Sequence, residues 1–190
     1  EYILNQKLDY TSGPKMLGEM IRDRTVIAVS GTHGKTSTAF LICEIFQAQG
    51  IDVGFLVGGV SDAFKNSARL GTSEFFVIEA DEYDSAFFDK RSKFIHYYPD
   101  TFIINNIEFD HADIFDDLSD ILKQFHNVIR TVPANGHVLF HDGDKNIFNL
   151  IDMGCWSNTH ALGREDNIEV SIEEGVIHFE NQQFDIGDLP

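Results

Sequence analysis

The apolar patterning of this chain predicts an α/β fold: a mostly parallel sheet flanked by helices, with a small antiparallel β appendage near the C-terminus. Three observations lead there. Apolar runs at 25–30, 53–60, 75–80, 102–107 and 137–140 are nearly continuous, as strands buried on both faces are. Segments of helical period lie among them, and strands alternating with helices build parallel sheets. Over 167–179 polar and apolar residues alternate instead, with Glu174-Gly175 as a turn, which is the mark of an antiparallel hairpin.

In chain order, residues 1–24 read as a linker with a short helix, and the core domain runs from 25 to 190. Thr-Val-Ile-Ala-Val-Ser at 25–30 forms the first strand and leads straight into Gly-Thr-His-Gly-Lys-Thr-Ser at 31–37. Ala39, Ile42, Cys43 and Phe46 then fall at i, i+3, i+4 and i+7, one face of a helix that Gly50 stops. Residues 53–60 form the second strand, with Gly58 and Gly59 near its end; 75–80 and 102–107 form the third and fourth. Leu118, Ile121, Leu122, Phe125, Val128 and Ile129 mark an amphipathic helix that ends before Pro133, and 137–140 is a further strand.

Composition narrows the function classes. Of 190 residues 43% are hydrophobic and 17 are Phe, ample for a core, and four prolines with no repetitive stretch argue against disorder. No apolar run reaches the ~18–20 residues needed to cross a bilayer. The first 20 residues lack the basic start and apolar centre of a signal peptide. A cytoplasmic protein with no membrane partner is expected. Cys43 and Cys155 are far apart in sequence; Cys43, on the apolar side of its helix, reads as a small buried hydrophobe, and no structural zinc site is expected. A net charge of −17 would repel a phosphate backbone, so no nucleic-acid partner is expected. Acidic residues gather at 79–89 and 108–120. Such clusters are ordinarily solvated surface, but both directly follow runs that read as buried strands.

A strand, a tight glycine loop and a helix together bind phosphate, because loop and helix N-terminal N–H groups point at the anion and the helix dipole favours it. Gly31 and Gly34 let the backbone turn and approach closely. Lys35 has the reach for β- and γ-phosphates, and the Thr36 hydroxyl is placed to ligate Mg²⁺. The general P-loop pattern GxxxxGK[ST] has a glycine where this chain has Val29. The placement between a strong strand and a strong helix still makes ATP the expected ligand.

The full string at 31–36, Gly-Thr-His-Gly-Lys-Thr, resembles the loop of the Mur ligases, enzymes that attach amino acids or peptides to UDP-N-acetylmuramate. Four further pieces come in the family's order: Gly58-Gly59, Ser67-Ala68-Arg69-Leu70-Gly71, Glu79-Ala80-Asp81-Glu82 and Asn106-Ile107-Glu108-Phe109-Asp110-His111. Within the family, Glu79-Ala80-Asp81-Glu82-Tyr83-Asp84 and the basic stretch Phe88-Asp89-Lys90-Arg91-Ser92-Lys93-Phe94 resemble the branch that joins a cell-wall tripeptide to UDP-N-acetylmuramate. The branch that adds L-alanine usually has Ser at the position of Tyr83 and lacks that stretch.

The resemblance implies roles. Gly31, Thr32, His33, Gly34, Lys35, Thr36, Ser37 and Asn106 would bind the nucleotide. Thr36, Glu79 and His111 would hold Mg²⁺, and Lys35, Glu79 and His111 would act in catalysis. The muramate carboxylate would attack the γ-phosphate, and the peptide amine would displace phosphate from the acyl phosphate. Arg69, Lys90, Arg91 and Lys93 are candidates for contact with substrate phosphates or carboxylates, against ordinary surface charge. Glu82 is open between ligand and field-shaping roles, and the remaining histidines read as structural. Mur ligases also have N- and C-terminal domains that 190 residues do not accommodate, so these partners of the same enzyme are expected to be missing and the isolated domain inactive. Two other readings stand beside this one: a nucleotide-binding module without ligase activity, and a folylpolyglutamate-type ligase, which lacks the forms seen at 79–84 and 106–111.

Overall fold

A computed structural model describes residues 1–109, 115 and 117–163, and the strand backbones of 170–173, 176–179 and 182–185. Two helices open the chain, α1 (Tyr2–Asn5) and α2 (Gly13–Met20). Ser12 starts the second: its side chain accepts from the Lys15 N–H, and Pro14 sits where a missing N–H costs nothing.

The main sheet has seven strands. They are β1 (Thr25–Ser30), β2 (Gly54–Leu56), β3 (Ala68–Arg69), β4 (Phe75–Glu79), β7 (Thr101–Ile104), β8 (His137–His141) and β9 (Asn158–Leu162), in the order β3-β2-β4-β1-β7-β8-β9. Every neighbouring pair is parallel except β2 with β3. Between β4 and β7 the chain forms a hairpin, β5 (Asp84–Ala86) with β6 (Asp89–Ser92), then a 3-10 turn at Lys93–His96.

Period-two alternation explains why both faces of β1 are apolar. Val26 and Ala28 point into one core with Phe76, Ile78, Phe102 and Ile104, which α4 (Leu118–Ile129) and α5 (Lys145–Asp152) cover with Ile121, Phe125, Ile147 and Leu150. Val29 points into a second core with Val77, Phe55 and Phe64, covered by Ala39, Phe40 and Cys43 of α3 (Lys35–Ala48). Fully burying such a side chain is worth about 1.5–3 kcal/mol, so each run holds the sheet from both sides. Cys43 is a free, fully buried thiol that desolvation pushes up to about 11. No helix among the described residues is long and apolar enough to cross a membrane.

The expected helices at Ala39 and Leu118 and strands at 25–30, 75–80 and 137–140 are present. The second and fourth runs are shorter as strands, because 57–59 and 105–108 leave the sheet to build loops. The appendage has three antiparallel strands rather than two: β10 (Val170–Glu173), β11 (Val176–Phe179) and β12 (Gln182–Asp185). The elements β3, β5, β6, α5 and β9 are additions; each is short or rich in polar residues, so its periodicity is weak.

Strand β1 lies at the centre, with β4 on one side and β7 on the other. The chain winds from β1 toward β2 and β4, then crosses over to β7, β8 and β9. Winding therefore reverses beside β1, and in open α/β sheets the crevice at the carboxyl ends of such strands is where ligands bind.

Candidate functional site

Three strand ends meet at that crevice. The loop after β1 is held by the segment after β7, across more than 70 residues of sequence. Thr32 N donates to Asn106 O at 3.1 Å. The Asn106 side chain accepts from His33 N at 2.8 Å and donates to His33 O at 3.3 Å. Asn105 Nδ2 donates to Thr38 Oγ1 at 3.0 Å, and Glu108 N donates to Thr32 Oγ1 at 2.9 Å. Gly31 is forced by this packing: its φ is +128°, and a Cβ there would lie 2.9 Å from Asn106 O and 3.0 Å from Asn106 N. Helix α3 then starts from Gly34 in a left-handed conformation, with no side chain capping it. The first N–H groups of a helix have no partner within it, so an uncapped start in a crevice is suited to an anion.

Lys35 Nζ donates to Gly31 O at 2.6 Å and Thr32 O at 3.4 Å, folded back over its own loop. Thr36 Oγ1 donates to Glu79 Oε2 at 3.0 Å, and Gly58 N donates to the same oxygen at 2.8 Å. Gly58 and Gly59 permit the closeness: added Cβ atoms would come 3.2 Å from Glu79 Oε2 and 3.1 Å from Thr36 Cγ2. Thr36 and Glu79 thus present a hydroxyl and a carboxylate side by side. Mg²⁺ takes oxygen ligands, usually one or two carboxylates with substrate phosphates and waters. The pair fits that chemistry, although among the described residues no three His, Cys, Asp or Glu side chains gather as a metal group. His111 lies outside the described residues. Ser37 is exposed on the first turn of α3, and His33 is exposed 3.9 Å from Glu108.

The basic candidates divide. Lys90, Arg91 and Lys93 stand on or beside the β5–β6 hairpin, and each has an acidic neighbour: Asp84 at 2.7 Å, Asp89 at 2.8 Å and Asp81 at 3.4 Å. Asp89 is held well below the usual carboxylate range, first by its hydrogen bond from Arg91. It also lies 2.9 Å from His96 Nε2, a buried ring whose pKa desolvation lowers against the pull of that carboxylate. Arg69 is not brought to the crevice. It pairs opposite Phe55, and its Nε donates to Val53 O at 3.0 Å, at the far end of β2 from Gly58. Its guanidinium also lies 3.2 Å from Asp52 and over the Phe55 and Phe64 rings.

Sequence reasoning missed Asn105, and Asp144 with Asn146. Asp144 Oδ1 caps α5 while its Oδ2 accepts from Ile107 N at 2.8 Å, and Asn146 Nδ2 donates to Ile107 O at 2.7 Å. An aspartate two residues before an asparagine was a legible cap signal; its tie to Ile107 was not.

The Mur ligase middle domain matches residues 29–186. The chain is 54% identical over 167 residues to the UDP-N-acetylmuramate–L-alanyl-γ-D-glutamyl-meso-2,6-diaminoheptandioate ligase of Haemophilus influenzae, covering 87% of this chain and 37% of that protein. It is 36% identical over 141 residues to a Clostridium botulinum UDP-N-acetylmuramate–L-alanine ligase, covering 74% of this chain and 29% of that one. Among solved structures, the UDP-N-acetylmuramate:L-alanyl-γ-D-glutamyl-meso-diaminopimelate ligase from Neisseria meningitides superposes with a TM-score of 0.87 at 42% identity, over 96% of this chain and 60% of that chain. The chain thus spans about a third of its curated relatives' length, from 29% to 37%. With the glycine loop, the strand-end glutamate and the asparagine clamp all in one crevice, the chain belongs to the Mur ligase family.

Proposed function

We propose that this chain is the Mg²⁺–ATP-handling part of a longer ligase that joins the tripeptide L-alanyl-γ-D-glutamyl-meso-diaminopimelate to UDP-N-acetylmuramate, in peptidoglycan recycling. The observation that carries the reading is the uncapped start of α3, with Lys35 on one side and the Thr36–Glu79 pair on the other. A cytoplasmic site of action follows from the use of ATP.

The loop amides and the N-terminus of α3 receive the triphosphate, which carries about four negative charges. Lys35 leaves its loop carbonyls to meet the γ-phosphoryl group. Thr36, Glu79 and His111 would hold Mg²⁺, which when bound spreads the charge of the transferring group. Asn105 and Asn106 keep the loop in its open shape. The sugar carboxylate attacks the γ-phosphorus and ADP leaves; the tripeptide amine then attacks the acyl carbon, phosphate leaves, and the amine gives up a proton. The substrate supplies the nucleophile, so the chain needs none. Lys90, Arg91 and Lys93 project from the segment beyond Glu79, and we assign them to the approach of substrate carboxylates. Tyr83 and this basic hairpin favour tripeptide over L-alanine, as does the higher identity to the tripeptide ligase.

The test is Lys35→Ala in the full-length protein. Losing one preorganised charge-stabilising group costs about 3 kcal/mol, so kcat at saturating ATP should fall at least ~10²-fold. A variant within about threefold of the parent would remove the loop from the chemistry.

A further inference from the structure

Glu82 lies three residues beyond Glu79 and has no part in the scheme above. Its side chain is only 4% exposed, yet Oε2 lies 3.9 Å from Lys35 Nζ, whose own side chain is 13% exposed. The ammonium is therefore surrounded by three oxygens: Gly31 O, Thr32 O and Glu82 Oε2. The backbone that carries it is anchored from behind. Ser92 Oγ is within hydrogen-bond reach of both Glu82 O and Gln124 Oε1 of α4, and Lys93 N donates to Tyr83 O at 2.9 Å. These bonds tie the backbone carrying Glu82 to the hairpin and to the covering helix, so the segment does not travel with Lys35 when the lysine moves.

A buried carboxylate is costly unless a charge compensates it. Here one nearby charge is the lysine of the phosphate loop, and a polyanion must come to that same lysine. Glu82 consequently attracts Lys35 and repels the arriving phosphates. If nucleotide affinity alone were favoured, a neutral residue would serve better.

We propose that Glu82 is a positioning residue for Lys35: it holds the ammonium at the crevice wall before nucleotide binds and limits where it can go afterwards. The result is weaker nucleotide binding in exchange for a better placed cation in the transferring state. Binding energy given up in the ground state and recovered in the transition state raises kcat. The inference rests on the ligase reading for its kcat arm only; the affinity arm needs nothing beyond nucleotide binding.

Glu82→Gln in the full-length protein keeps shape and removes the charge. Removing a like charge beside the lysine that meets the phosphates, at an effective dielectric near ~20, favours an arriving polyanion by roughly tenfold or more before screening. The expected result is a Kd for a fluorescent ATP analogue with Mg²⁺ at least ~3-fold tighter, and a kcat for amide formation at least ~10-fold lower. A purely structural role would instead weaken binding and turnover together, with a lowered melting temperature; that outcome overturns the proposal, as does no change in either quantity. Glu82→Asp, which retains the charge one methylene back, covers the case in which the glutamine variant fails to fold. It should keep the parent's Kd within about twofold while kcat falls, and a Kd that loosens in step with kcat overturns the proposal. If the parent forms no amide, the ligase reading fails while the affinity titration still decides: tightening in Glu82→Gln supports the pairing, and an unchanged Kd sinks it.

Discussion

Glu79 Oε2 accepts from both Thr36 Oγ1 and Gly58 N, so its position is set by a helix on one side and a strand-end loop on the other. Glutamine at 79 can still accept both bonds through its amide oxygen, so the fold should tolerate the change, but it removes a charge beside the position proposed for Mg²⁺. At ~2–4 Å and an effective dielectric near 20, that charge is worth several kcal/mol before desolvation offsets it. We therefore expect Glu79→Gln to bind nucleotide with a much higher Mg²⁺ requirement, read by calorimetry across a Mg²⁺ series. Its melting temperature without nucleotide should stay level. An unchanged Mg²⁺ midpoint would take the metal away from Glu79. Lys35, Thr36 and Glu79 were legible in the sequence because their geometry is local: a loop that must become a helix, and a carboxylate where a strand runs out. The ion-pair neighbour of Lys35 was not, since Glu82 reaches it only after β4 has been laid beside β1.

The clamp at 105–108 belongs to an element rather than to a residue. Its inner side holds the phosphate loop through Asn105 and Asn106, and its outer side is held by α5 through Asp144 and Asn146. Asp144 serves two purposes with two oxygens, capping α5 with one and fixing Ile107 N with the other. Replacing a capping aspartate by alanine typically costs about 1 kcal/mol, and leaving a part-buried amide unpaired adds ~1–3 kcal/mol. Asp144→Ala should therefore lower the denaturation free energy by roughly 2–4 kcal/mol in urea melts, and should weaken nucleotide binding although the side-chain bonds of Asp144 go to Ile107 and α5 and not to the loop at 31–37. Binding that stays at the parent value would show the clamp to be indifferent to α5. The long, strongly periodic elements β1, α3, β4 and α4 were legible from apolar spacing alone. Helix α5 and strand β9 were not. Eight residues give barely two turns of pattern, and the Asn-Thr-His start of β9 at 158–160 looks like loop until the neighbouring β8 supplies its ladder. The third strand of the C-terminal sheet was missed because Asp185 and two glutamines interrupt its alternation.

Taken as one body, the molecule gathers Lys35, Thr36 and Glu79 at the carboxyl ends of the strands and keeps Arg69 away from them. Arg69, stacked on two phenylalanines and bonded to Val53, secures the opposite end of the sheet. The net charge of −17 makes the few cations in the crevice matter, and Lys35 is the one seated in the phosphate loop itself. The hairpin cations Lys90, Arg91 and Lys93 are each matched by an aspartate, so they can meet a substrate carboxylate only by exchanging partners. Among the described residues, then, the groups gathered around the crevice suit the triphosphate and its metal, and the chain covers 37% of the tripeptide ligase it is similar to. Holding the sugar carboxylate and the peptide amine in line is a separate task, and well-oriented reactants are worth ~7–11 kcal/mol of barrier. From this we expect the 190-residue chain alone, given UDP-N-acetylmuramate, the tripeptide and Mg²⁺–ATP, to form no detectable amide by chromatography of the products. Ligated product at rates near an ordinary ~10 s⁻¹ would show that the crevice orients both acceptor substrates by itself, and the assignment of that task to further parts of a longer ligase would fall.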